Sequence, residues 1–412
     1  MSQVLPKISA FFYPKAGWFG LVMIFGLPWS HAFFNIGLVG ILVCLLASPT
    51  HYKELAAIFQ EKIALLAILL FLYIAAGLLY THAPMELAIH DVKKYRKLLL
   101  IPVFLLLYRD TQWAERLVIA YGCGAFILMM PTLLDGAGLL QTLSLDWSRL
   151  RNESYTNLSL VYWRNHIVTG FHASMLFVIC VLSAIRHPKL AWPLVAVAAI
   201  CLLNIVFFLH GRTALITLLA ICLLMAMGYI SRPFLRIALI LAIFAGSLLA
   251  YQTSEKIHAR VNSIAQEARS YSADAKDFSS GGTRLYYWGM SLNMFVDAPL
   301  VGQGPGAFRE NLLRPDNPMR HETHKHNHNE YLMLAAQHGL FGLTLFLLLA
   351  YQIYHQAGRR QDIWRSGIVR LGLIIFLINA VTDSSLNNES EGWTFVFLAC
   401  LANMRPAVPK MP

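Results

Sequence analysis

Residues 321–342 read HETHKHNHNEYLMLAAQHGLFG. Four histidines, His321, His324, His326 and His328, fall within eight residues, and an apolar run starts directly behind them at Tyr331. A polar, histidine-rich lead that passes at once into an apolar helix marks the entry of a water-facing segment into a bundle. If the run is helical, His328, Leu332, Ala335, Gly339 and Gly342 share one stripe, because eleven residues make very nearly three turns. Glycines on that stripe let another helix come close beneath the imidazole. The spacing predicts a histidine held at the mouth of a helix bundle.

The rest of the chain is built for such a bundle. Of its 412 residues, 57% are hydrophobic and 13% charged. One soluble core cannot hide that much apolar surface. Apolar runs of spanning or near-spanning length recur from end to end, which predicts an all-α polytopic membrane protein with about 12 transmembrane helices. The expected organisation is nine helices in 1–252, one large outward loop in 253–330, and three helices with a cytoplasmic tail in 331–412. No cleavable leader pattern is read at the N-terminus. The six cysteines all lie inside apolar runs, which favours packing over disulfides or a thiolate metal site. A net charge of +11 points to membrane lipid phosphates and phosphorylated substrates rather than nucleic acid.

Charge also sets orientation. With the N-terminus inside, every internal segment carries at least two Lys or Arg, as the positive-inside rule asks. Residues 253–330 then face outward, and so do Arg212 and the basic run Lys93, Lys94, Arg96 and Lys97. That run opens an expected span at 93–108 whose purely apolar part, Leu98 to Leu107, is too short to cross about 30 Å alone. Either the span tilts, or its basic turn dips into the outer interface and meets phosphate there; the plainer alternative is snorkelling lysines. In the outward loop, one segment places Ile257, Val261, Ile264 and Ala268 on a helical face, and a second groups Leu285, Trp288, Leu292 and Phe295. Both are expected to lie along the membrane surface and roof a cavity.

Several residues carry candidate chemistry. A neutral imidazole at the head of a membrane helix can take a proton from an incoming hydroxyl, which makes His328 a candidate general base. His324 and His328 are four apart, yet the only nearby carboxylates are Glu322 and Glu330, so no metal is expected. Arg212 sits in the turn His210-Gly211-Arg212-Thr213, where its planar fork of donors suits a phosphate or anchors the helix end. Arg284 follows Gly281-Gly282-Thr283 at the head of the second amphipathic segment. The glycines at 302, 304 and 306 follow no parallel strand, so a dinucleotide-binding reading fails.

Taken together, these pieces resemble the bacterial O-antigen ligase and polymerase superfamily. The resemblance rests on Gly211-Arg212-Thr213-Ala214, on Arg284 with Trp288 four residues on, on PLVGQGPGAF at 299–308, and on His328-Asn329 with nine residues to Gly339. The N-terminal half matches only in hydropathy. The resemblance implies a glycosyltransferase-C-like membrane enzyme of the bacterial inner membrane with a periplasmic active site. It implies a glycan donor on undecaprenyl pyrophosphate, a lipid A–core acceptor, and no cofactor. It marks Arg212 and Arg284 as essential arginines and His328 as the essential histidine. His338, just before Gly339, lies off the His328 stripe and is the less favoured base. Ligases, polymerases and protein O-oligosaccharyltransferases share these features; the single large loop and compact length resemble a ligase more. A transporter of polyprenyl-linked glycans is the alternative from another class, although no inverted repeat is evident.

Overall fold

A computed structural model describes residues 4–48, 58, 60–108, 112–136, 138–139, 164–209, 212–253, 258, 262, 280–321, 326–359 and 362–404. Among the described residues there are helices and no strands. The N-terminal half contains α1 (Val4–Gly26), α2 (His31–Leu46), α3 (Lys62–Ala76), α4 (Met85–Lys94), α5 (Leu100–Leu107), α6 (Gln112–Gly136), α7 (His166–Arg186) and α8 (Ala191–Leu203). Then come α9 (Arg212–Tyr229), α10 (Pro233–Thr253), α11 (Ser280–Asp297), α12 (Ala307–Leu312), α13 (Glu330–Gly358), α14 (Ile363–Thr382) and α15 (Glu389–Asn403).

Seven helical stretches are long and apolar enough to cross a membrane among the described residues: Lys62–Leu79, Trp113–Asp135, His166–Arg186, Pro188–Phe208, Arg212–Tyr229, Glu330–Gly358 and Ile363–Thr382. Together they make an all-α, multi-pass membrane protein. The others among the twelve expected spans also fall on helices, some of them short: α2 has 16 residues and α15 has 15. The 93–108 stretch differs most. It is the end of α4, a 3₁₀ turn at Tyr95–Leu99, and the eight-residue α5. Eight residues rise only about 12 Å, so α5 does not cross alone. The 3₁₀ turn brings Tyr95 and Lys97 inward together, and both are fully or nearly fully buried.

One continuous apolar core runs through the bundle, with Phe346 of α13, Phe376 of α14 and Phe395 of α15 all fully buried. A smaller cluster joins Tyr287 and Met294 of α11, Phe308 and Leu312 of α12, and Met333 of α13. This second cluster corrects the face expected for α11. Its buried side is Tyr287, Ser291 and Met294, while Leu292 is 48% exposed. Both sides of this helix carry apolar residues, and the contact with α12 and α13 decides which one is covered. The face of the first amphipathic segment, Ile257, Val261, Ile264 and Ala268, lies outside the described residues.

The stripe expected on α13 also changes. His328 precedes the helix, in a left-handed conformation with φ 55, and Asn329 is the N-cap. Gly339 then interrupts the helix at φ 61 and ψ −166. The loop of residues 299–304 fills that break with main chain. Gln303 N donates to Ala336 O at 3.0 Å and Gly304 N to Gln337 O at 2.9 Å, while Leu340 N donates to Pro299 O at 2.8 Å. The carbonyls and amides released by the kink are thus repaired from outside, as a non-aqueous setting demands. A β-carbon on Gly339 would collide with the Leu300 carbonyl, so glycine is required for both conformation and space.

The same loop is clamped by the N-terminal half. Tyr80 Oη donates to Val301 O at 2.6 Å and Thr81 Oγ1 to Pro305 O at 2.9 Å. Buried Asp91 of α4 accepts the Gly306 amide at 3.2 Å.

Candidate active site

The site is built around Asn327, His328 and Asn329. Asn329 Oδ1 accepts Leu332 N at 3.0 Å, which satisfies one free amide of the first turn of α13. Asn327 is fully buried and reaches three ways. Its Nδ2 donates to Ser291 Oγ on α11 at 2.8 Å, and its Oδ1 accepts Asn329 N at 3.0 Å and Ser384 Oγ at 3.4 Å. His328, fixed between these two asparagines, takes a φ that is uncommon for a non-glycine residue. Its side chain is 16% exposed, and its Nδ1 lies 3.4 Å from Asp383 Oδ1.

Asp383 comes from the short polar connection between α14 and α15, which packs inside the protein. Its side chain is 3% exposed. Ser384 N donates to Oδ1 at 2.8 Å and Asn388 Nδ2 to Oδ2 at 2.9 Å. Burial alone would raise its pKa, but His328, His326 and the Ser384 amide outweigh burial and hold the carboxyl down at about 2. The connection itself is gripped from two sides. Glu330, the first residue of α13, accepts Leu386 N at 3.0 Å and Asn387 N at 3.2 Å through one oxygen, and Tyr95 Oη at 3.2 Å through the other. Lys97 Nζ donates to the carbonyls of Leu386 and Asn388.

The helices that bear Arg212 and Arg284 reach this corner through neighbouring residues. Arg212 is the first residue of α9, and its neighbour Thr213 shares a 2.8 Å hydrogen bond with Thr382, the residue before Asp383. Arg284 lies seven residues before Ser291 on α11, about 10 Å along the axis from the Asn327 contact. Helices α7, α9, α13 and α15 all start at this end. His172 of α7 meets Ser390 of α15 at 2.7 Å, and Glu330 of α13 holds the 386–387 amides. Helix N-termini carry partial positive charge, so this end suits an anion even before the arginines are counted.

The basic run divides. Lys93 lines an open cleft with His90, Glu86 and Arg309. Lys94 pairs with Asp91 at 2.9 Å. Arg96 is exposed, whereas Lys97 points inward to the carbonyls already described. His338 is fully buried in α13, with its ring edge-on to Tyr95. Eight residues of α13, about 12 Å along the helix axis, separate it from Glu330.

Sequence reasoning missed Asp383 and Asn327, and weighed Glu330 only as a metal carboxylate. The available signal was the polar run TDSSLNNESEG at 382–392, which is too polar for a plain link between two apolar helices. His324, half of the histidine pair weighed for a metal, lies outside the described residues. The structure instead groups the other half of that pair, His328, with His326 and Asp383.

Residues 197–347 match the family model described as O-antigen ligase. The matched stretch contains Arg212, Arg284 and His328 and ends before Asp383. A search of the curated proteins found no match. The family match supports placement in the O-antigen ligase/polymerase superfamily, whose members are glycosyltransferase-like enzymes acting on lipid-linked glycans.

Proposed function

We propose that this protein is an O-antigen ligase, moving a finished glycan from undecaprenyl pyrophosphate to a sugar hydroxyl of lipid A–core. In this reading the 253–330 segment and the His328 end of the bundle face the periplasm, and the protein sits in the bacterial inner membrane. The observation that carries it is the His328–Asp383 contact of 3.4 Å, made where the helices bearing Arg212 and Arg284 are tied to the same corner.

The donor already has a good leaving group, so catalysis needs charge stabilisation and an activated acceptor. Asp383 faces Nδ1 of His328, which favours the tautomer with its hydrogen on Nδ1, makes Nε2 the basic nitrogen and stabilises the imidazolium that forms. His328 Nε2 takes the proton of the acceptor hydroxyl. The hydroxyl oxygen then bonds to the anomeric carbon from the face opposite the pyrophosphate, and the bond from that carbon to the phosphate oxygen breaks. The configuration inverts in one displacement. Arg212 and Arg284 hold the pyrophosphate and receive its developing charge with no metal required. Lys93 and Arg96 face outward on the same side as α4 and supply contacts to lipid phosphate. Lys94, paired with Asp91, and Lys97, buried against the 386–388 carbonyls, are held away from the expected phosphate contact and serve as ties behind that surface.

Purified protein in detergent, given undecaprenyl-pyrophosphate glycan and lipid A–core with excess EDTA, tests the proposal. The expected product is glycosylated lipid A–core. Growth of the donor chain without use of lipid A–core indicates a polymerase, and no transfer at all rejects the enzymatic reading in favour of a transporter.

A further inference from the structure

We propose that His326, His328 and Asp383 form a Zn²⁺ site and that zinc bound there blocks glycan transfer. The block rests on the reading of His328 as the base. His328 Nδ1 is 3.4 Å from Asp383 Oδ1, and His326 Nδ1 is 3.7 Å from the same oxygen. The two imidazole rings are 4.5 Å apart, and one ligand atom from each of the three residues lies within 4.8 Å of the others. Zinc takes nitrogen and oxygen ligands at about 2.0–2.2 Å, which in a tetrahedron sets neighbouring ligands roughly 3.3–3.5 Å apart. Two edges of this triangle are near that length, so side-chain rotation is enough to close it.

Two imidazoles and a carboxylate suit zinc and are poor for Mg²⁺ or Ca²⁺, which prefer oxygen alone. Asp383 is already oriented by Asn388 at 2.9 Å and by the Ser384 amide at 2.8 Å, the kind of outer support that stiffens a metal ligand. Three protein ligands leave one position open. The conflict with catalysis is chemical. Zinc takes the Nδ1 lone pair of His328 and the Asp383 oxygen that would otherwise hold the Nδ1 proton. The neutral ring then carries its hydrogen on Nε2, the reverse of the tautomer that accepts a proton from the acceptor. His326 contributes to the zinc site and takes no part in the transfer step.

The test uses the full-length protein in detergent, stripped with chelator and titrated with Zn²⁺ against a competing colorimetric chelator. Transfer is assayed in parallel. Wild type should bind one zinc, lose transfer as it binds, recover with EDTA, and ignore Mg²⁺. His326→Gln should keep transfer but need at least about tenfold more zinc for both binding and inhibition, since loss of even an outer partner of a metal ligand costs that much. His321→Gln should behave as wild type, and Asp383→Asn, read for binding alone, should weaken zinc as His326→Gln does. Equal zinc affinity in wild type and His326→Gln overturns the site. Zinc binding that depends on His326 while transfer is unaffected or stimulated overturns the block and the base reading with it, but leaves the binding result standing.

Discussion

Helix α13 is met at two points by chain from elsewhere, and the two meetings are made differently. At its start side chains make the contacts: Asn327 reaches Ser291 and Ser384, Glu330 takes the Leu386 and Asn387 amides, and His328 lies 3.4 Å from Asp383. At Gly339 the partners are main chain, with residues 299–304 supplying donors and acceptors to a broken helix. The first arrangement has chemistry that a single substitution removes. The second has shape, which a substitution distorts without touching a reacting group. On the proposed reading, residues at the first point act and those at the second hold the frame, although both stand equally prominent in the sequence.

The largest effects should fall at the first point. Asp383→Asn keeps the size of the side chain but favours the wrong His328 tautomer, so turnover should fall by about 10²–10⁴-fold, the range of a lost general base. Steady-state transfer with unchanged donor affinity checks this, and near-normal turnover would reduce Asp383 to a structural residue. Next in size are Arg212→Lys and Arg284→Lys. Each keeps charge but loses the bidentate fork, and a charge-assisted hydrogen bond worth about 1.5–3 kcal/mol predicts roughly a ten- to hundredfold loss. A loss confined to one lipid's apparent KM would reassign that arginine to the lipid concerned.

Effects at the second point should be on stability. Gly339→Ala puts a side chain at φ 61 against the Leu300 carbonyl, and such strain costs on the order of 1–3 kcal/mol. Thermal unfolding in detergent should show a lower Tm, with activity per folded molecule reduced far less than in Asp383→Asn. Equal losses of turnover at both points would erase the distinction drawn between them.

The smallest effect expected is a pH one. The Asp383 pKa is depressed from 3.8 to about 2, so its stabilising contribution is complete above 3.8 and is lost as pH falls toward 2. Wild type should lose stability over that window relative to Asp383→Asn, which has no carboxyl to protonate. Parallel melting curves of the two proteins from pH 5 to pH 2 would contradict the buried contact.

What the sequence reveals follows the same division. Apolar runs and the three candidates Arg212, Arg284 and His328 are local signals, and all three candidates sit on or beside elements that meet at one end. Asp383 is not local. Its run of polar residues looks like a connection, and nothing in its spacing ties it to a histidine on another helix. Gly339 is visible as a glycine on an apolar stripe, which reads as close packing; only the loop against it shows that the helix breaks there. The Tyr80, Thr81 and Asp91 clamps belong to the half that matched in hydropathy alone, because single hydroxyls and one carboxylate leave no periodic trace. The face of α11 was misread for a similar reason: two apolar sides are present, and tertiary contact selects Tyr287, Ser291 and Met294.

The central claim is that His328, and not the buried His338 ten residues along the same segment, takes the acceptor proton. Transfer from undecaprenyl-pyrophosphate glycan to lipid A–core by purified His328→Ala and His338→Ala, with donor binding measured on each, tests it most directly. The account predicts that His328→Ala binds donor normally and turns over about 10²–10⁴-fold more slowly, while His338→Ala stays close to wild type per folded molecule. Near-normal turnover in His328→Ala together with an inactive, folded His338→Ala would contradict it.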